Sequence, residues 1–158
     1  LLADFVAEFR KISAELGPDG WLVTHRPIWG IGTGDDNPAI VKPTPVLQQA
    51  AERVFPAQVS LLLAGHVHLA EVLDFGGVRP PQVVVGNGGT RLVSPVPARL
   101  EGMRVAGVQV RAGRQLDQHG FLTLERRANS GWTMVFRDVG GGPLLSCEVQ
   151  ERRVRCDT

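Results

Sequence analysis

Four histidines are the side chains with the widest chemical reach in this sequence, and three of them directly follow short apolar runs. His25 follows Trp21-Leu22-Val23-Thr24, while His66 and His68 follow Val59–Ala64 through Gly65. A strand that ends in a ligand holds it rigidly, because the ladder fixes its backbone. In an extended stretch alternate side chains point the same way, so His66 and His68 are expected to face one cavity. Gly65 lets the chain bend with no Cβ in the way. Neutral imidazole is a ligand for zinc, iron, manganese and related ions. An isolated His-x-His pair is a weak signal. Gly-His-x-His after an apolar strand, joined by His25-Arg26-Pro27 after a second strand, is a strong one, and it makes His25, His66 and His68 candidate metal ligands. Arg26 is a candidate phosphate contact, since a guanidinium can pair bidentately with that anion. His119, beside Gly120, reads as a hairpin residue facing water. Asp35 and Asp36 read as turn residues that cap loop amides rather than as ligands. Gly86-Asn87-Gly88-Gly89 could form a phosphate-binding nest, but a tight turn that lets the backbone pass the site closely is the preferred reading. A serine nucleophile finds no support: there is no Gly-x-Ser-x-Gly elbow, and Ser60 and Ser94 have no base at a suitable spacing.

The elements that must position these residues can be read from periodicity. Leu2, Phe5, Val6, Phe9, Ile12 and Leu16 recur at helical spacing, and Gly17-Pro18 supply a stop. The chain thus begins inside an amphipathic helix, which suggests the later part of a longer polypeptide or a processed product. After the strand at residues 21–24, residues 26–42 form a loop rich in Gly, Pro, Asp and Asn, long enough to be functional. Thr44 and Pro45 serve as cap and first-turn residue of a second helix that runs to about Val54 and is closed by Pro56. Strands are expected at Val59–Ala64, Glu71–Phe75 and Gln82–Val85. Beyond them, alternating runs at 103–111, 120–127, 132–138, 144–150 and 152–156 are separated by turn signals such as Asn129-Ser130-Gly131. Trp132, Met134 and Phe136 share one face of such a run, as in antiparallel hairpins with one buried side. The fold class is therefore α/β (α+β): two helix–strand units followed by an antiparallel meander.

Leu22-Val23-Thr24-His25-Arg26-Pro27, then Leu62-Leu63-Ala64-Gly65-His66-Val67-His68, then Val84-Val85-Gly86-Asn87-Gly88-Gly89, resembles the calcineurin-like metallophosphoesterases over about residues 20 to 90. The tail from Gly120 is similar, through less specific residues, to bacterial members of the group that includes purple acid phosphatases. The resemblance implies a two-sheet sandwich flanked by helices with a two-metal site at strand ends. It implies that His25 and His66 bind one ion and His68 the other, with Asn87 nearby but not assigned as a ligand. It further implies a metal-dependent phosphoester hydrolase using two transition ions (Zn, Mn or Fe) per complete site. The family's earlier blocks (Asp-x-His, Gly-Asp-x-x-Asp or its tyrosine variant, and Gly-Asn-His-Asp or -Glu) do not occur here. Gly34-Asp35-Asp36-Asn37-Pro38 has proline where the second acid should stand, and it follows His25 rather than preceding it. Residues 1–158 are thus expected to be the C-terminal portion of a metallophosphoesterase domain, inactive alone. Its partners would be a phosphoester substrate and either the missing N-terminal portion or a swapped chain, with self-association covering cut sheet edges. Two +2 ions ~4 Å apart at an effective dielectric of ~20 repel by roughly 16 kcal/mol, which three neutral imidazoles do not offset. The alternative is a non-catalytic, β-rich interaction module with a structural or vestigial metal site.

Composition bounds these readings. A chain of 158 residues fits one domain, and 43% hydrophobic with 21% charged residues argues against wholesale disorder. No apolar run approaches the ~20 residues needed to span a bilayer as a helix. Seventeen basic and sixteen acidic residues give a net charge of +1, so no global attraction to nucleic acid follows. The 19 glycines and 11 prolines favour many tight turns over a helical bundle. Cys147 and Cys156 can face each other across a terminal hairpin. They are either a disulfide, which would suggest an exported or periplasmic protein, or two reduced, partly buried thiols.

Overall fold

The computed structural model describes residues 1–34, 37–41, 45–96, 99–128 and 131–157. The expected cap at Thr44, the turn at Asn129 and Ser130, and Asp35 and Asp36 fall outside the described residues. The apolar stripe near the start forms α1, Leu2–Glu15, which buries Val6 and Phe9. The Leu16 N–H bonds Ile12 O at 2.8 Å and closes the last turn. The strand that leads to His25 is β1, Gly20–Thr24. Two short strands follow inside the expected long loop, β2 (Gly32–Gly34) and β3 (Asn37–Val41), paired antiparallel. Pro45 opens α2, Pro45–Arg53, which buries Leu47, Ala50 and Ala51.

The next strands are β4 (Val59–Ala64), β5 (Ala70–Asp74) and β6 (Gln82–Val85). The expected run at 103–111 is instead a small hairpin of β7 (Arg104–Val105) and β8 (Val108–Gln109). Positive φ at Ala106 (44°) and Gly107 (77°) turns the chain there in two residues. Strand β9, Ala112–Leu116, has no apolar alternation and was not expected. The meander follows as β10 (Gly120–Arg126), β11 (Trp132–Asp138), β12 (Pro143–Gln150) and β13 (Arg153–Cys156).

The strands assemble into a five-stranded mixed sheet, ordered β1-β4-β6-β5-β9, and a four-stranded antiparallel sheet, ordered β10-β11-β12-β13. Strands β1, β4 and β6 run parallel, while β5 opposes both β6 and β9. The mixed sheet is covered on both faces, which is why β4 reads as an unbroken Leu61-Leu62-Leu63. Leu62 and Leu73 pack with Val6, Phe9, Ala50 and Trp29 in one core. Their neighbours Leu61 and Val72 pack with Met134, Phe136 and Val149 of the second sheet in the other. Successive side chains on one strand thus feed two cores, so a one-residue slip would misplace both sets.

The second sheet is tied down beyond its apolar face. Cys147 and Cys156 are register partners on β12 and β13 and are disulfide-bonded. Arg153 on β13 donates from Nε and Nη2 to the buried carboxylate of Asp74 on β5 at 2.9–3.1 Å. Large apolar side chains that remain exposed are single, among them Val23 on the outer strand β1 (71% exposed). Among the described residues no helix is long and apolar enough to cross a membrane.

Candidate metal centre

Three parallel strands deliver their last residues to one rim of the mixed sheet. Thr24 is in register with Ala64, and Ala64 with Val84, so the segments that begin at His25, Gly65 and Val85 emerge side by side. Gly65 N–H bonds His25 O at 3.2 Å, which carries the β1–β4 pairing one step past the strands. The chain then turns sharply: Val67 N–H reaches Gly65 O and Leu69 N–H reaches Val67 O, both at 2.8 Å.

This turn corrects the expected route to the site. Residues 66–68 are not extended, so strand alternation does not aim the two histidines. His66 itself takes the left-handed conformation, φ 67°, while Gly65 does not. A non-glycine residue held there is strained and is found disproportionately at functional sites. The result is a close pair: His66 Nδ1 lies 3.3 Å from His25 Nε2, with ring centroids 5.0 Å apart and planes inclined at 68°.

Burial, and then the positive charges of Arg26, His25 and His68 in turn, hold His66 below the ordinary histidine pKa. Arg26 and His68 therefore both stand within electrostatic reach of the pair. The same forces favour the neutral imidazole, which is the form that ligates a metal.

The donor set can be tested against the ions the resemblance implies. At Zn–N distances of ~2.0–2.1 Å, two ligands of a tetrahedral ion stand about 3.3–3.4 Å apart. The His25–His66 pair meets that separation at 3.3 Å, so it fits one edge of a single ion. Among the described residues no third His, Cys, Asp or Glu gathers with them into a metal-holding group. The described residues therefore supply one edge of a single-ion site and do not by themselves complete a dinuclear centre. His68 shares the rim but does not join the pair.

Asn87, just beyond β6, is fully buried. Its Nδ2 donates to Gln118 O at 2.8 Å, its carbonyl accepts from Gly120 N–H at 3.1 Å, and His119 Nδ1 lies 3.3 Å from that carbonyl. A Cβ on Gly86 would collide with the Val67 carbonyl. Gly86-Asn87-Gly88-Gly89 is thus a close pass of backbone over backbone, and it ties the end of β6 to the histidine turn. His119 is exposed but belongs to the connection from β9 to β10, between two sheets, and not to a hairpin.

Sequence reasoning missed three polar side chains beneath the segment that follows His25: Glu71, Gln82 and Gln115. Glu71 and Gln82 are fully buried, and burial pushes the Glu71 carboxyl up to about 8 despite hydrogen bonds from Gln115 and Ile31 that pull it down. The available signal was an acid or amide inside an otherwise apolar strand, a costly placement unless it is bonded.

No family model matches the chain, and no curated protein does. Solved structures do match. Purple acid phosphatase PPD1 from yellow lupin (Lupinus luteus) seeds is similar over 87% of this chain, with a TM-score of 0.58 and 16% sequence identity. The likeness is one of fold. This chain spans 26% of the length of that phosphatase. The comparison supports an α+β fold of mixed sheets with few helices, similar to part of that protein.

Proposed function

We propose that this chain carries the histidine half of a calcineurin-like, metal-dependent phosphoesterase centre. His25 and His66 hold one ion, His68 reaches the second, and Arg26 contacts the phosphate of the substrate. The carboxylate half, including the acid shared by both ions, comes from an N-terminal portion of the same domain or from a second copy of the chain. If the carboxylate half completed the centre, His25, His66 and His68 would hold Zn, Mn or Fe ions, which would supply Lewis-acid chemistry for phosphoester hydrolysis. Without the carboxylates, this chain's own contribution is to bind and orient, so it is inactive alone.

The observation that carries this reading is the 3.3 Å approach of His25 Nε2 to His66 Nδ1 at the ends of adjacent parallel strands. The fold likeness to a phosphatase supports it. The Cys147–Cys156 disulfide supports an oxidising compartment, outside the cell or in a periplasm. A second reading, an interaction module with a vestigial site, is favoured by one observation: no carboxylate joins the pair among the described residues.

Elemental analysis and p-nitrophenyl phosphate hydrolysis separate the two readings. The chain alone should show no turnover, and the polypeptide that includes the carboxylate blocks should turn over with Zn, Mn or Fe. A complete polypeptide that is inactive with every ion would favour the interaction module. Light scattering tests self-association, and a monomer at high concentration would leave the same-chain source of the carboxylates.

A further inference from the structure

Residues Ile28 to Ile31 directly follow His25-Arg26-Pro27. They are buried, yet they belong to no strand. A buried main-chain segment outside a ladder must find partners for its N–H and C=O groups. Side chains of three strands supply them. Gln82 Oε1, on β6, accepts from Ile28 N–H at 3.1 Å and Trp29 N–H at 3.4 Å. Both Glu71 oxygens, on β5, accept from Ile31 N–H at 3.1 and 3.2 Å. Gln115 Nε2, on β9, donates to Ile31 O at 2.9 Å and to Glu71 Oε2 at 2.6 Å.

Gln115 also reaches to the other side. Its Oε1 accepts from Val96 N–H at 2.9 Å. Val96 closes a segment in which Val93 N–H bonds His68 O at 3.0 Å. One amide therefore joins the segment that leaves His25 to the segment that touches His68.

We infer that Glu71, Gln82 and Gln115 form a polar latch that positions His25 against His66 and steadies the His68 turn. They act on the site through backbone, so they are positioning residues. The functional meaning of the latch rests on the metal centre proposed above. Packing alone gives no reason for these residue types. The same loop already sets Trp29 against Phe55 and Phe75, with the Arg79 guanidinium 4.4 Å above its ring. A carboxyl and two amides beneath such a cluster are costly to bury and specify one arrangement of the loop.

Two readouts test the latch. The first is the cross-relaxation peak between the ring protons of His25 and His66, which needs no metal. The second is Co²⁺ affinity, followed by visible absorbance. Glu71→Ala and Gln115→Leu should lose the ring peak and bind Co²⁺ about 10–100-fold more weakly, the usual effect of removing outer partners of a metal ligand. Glu71→Gln keeps an acceptor for Ile31 and should keep both signals. Met134→Ala, in the other core, should lower the melting temperature while leaving both signals intact. Should Glu71→Ala fail to fold, Gln115→Leu, at a half-buried position, carries the test. A ring peak retained in Gln115→Leu, or lost equally in Met134→Ala, overturns the latch. If the unaltered chain binds no Co²⁺, the metal reading fails, and the ring peak still decides the latch.

Discussion

Glu71 should make the stability of this protein fall as pH rises through neutrality. Its carboxyl lies at about 8 in the folded chain, against an ordinary value of 4.5, because burial in the mixed sheet outweighs its hydrogen bonds. Between those values the folded state holds a proton that the unfolded chain has released. Unfolding therefore becomes easier as pH rises, by up to about 1.4 kcal/mol per pH unit. The contribution of Glu71 is fully present below about 4.5 and is lost by about 8. His66 works in the opposite sense at lower pH, since its depressed pKa makes stability rise with pH up to the ordinary histidine value of 6.5. The clean window is therefore pH 6.5 to 8, where Glu71 should cost about 2 kcal/mol. Urea unfolding at half-unit steps across that window measures it, and Glu71→Gln should flatten the curve. A flat profile in the unaltered chain, or the same slope in Glu71→Gln, would refute the reasoning.

Three further outcomes follow from other parts of the fold. Gly86→Ala forces a Cβ into the Val67 carbonyl; it should displace the 66–68 turn and weaken Co²⁺ binding about tenfold or more, while far-UV circular dichroism stays unchanged. Arg153→Met leaves the Asp74 carboxylate, 1% exposed, without its partner; urea unfolding should show a loss of about 3 kcal/mol. Reducing the Cys147–Cys156 bond, which closes a sequence separation of 9, should lower stability by about 2–3 kcal/mol; thermal scans with and without reductant would show it, alongside a 2 Da mass increase that confirms the bridge was open.

Much of the fold could be read from the sequence because its strong periods belong to packed faces. Val59–Ala64 and Trp132–Asp138 form as expected because their apolar positions face cores. The cysteine pair closes across the terminal hairpin because β12 and β13 place the two residues opposite each other. Strand β9 escaped notice because Ala112-Gly113-Arg114-Gln115-Leu116 is chosen for close approach and hydrogen bonding rather than for apolar alternation. Gly113 lies tight against Leu100 and Leu73, and Gln115 serves the loops. At the rim, the histidine types and their order were legible, but the way they meet was not. The pairing depends on a left-handed His66 and on a glycine two strands later, Gly86, that makes room for the turn. No local pattern announces either feature. The latch was hidden for a related reason: its three members are far apart in sequence and become neighbours only once β9 joins the sheet.

His25 and His66 are proposed to share one metal ion. Isothermal titration of the chain with Zn²⁺ tests this most directly. The expected result is one site per chain, abolished by His25→Ala and by His66→Ala. Two tight sites per chain, or binding that survives both substitutions, would contradict it.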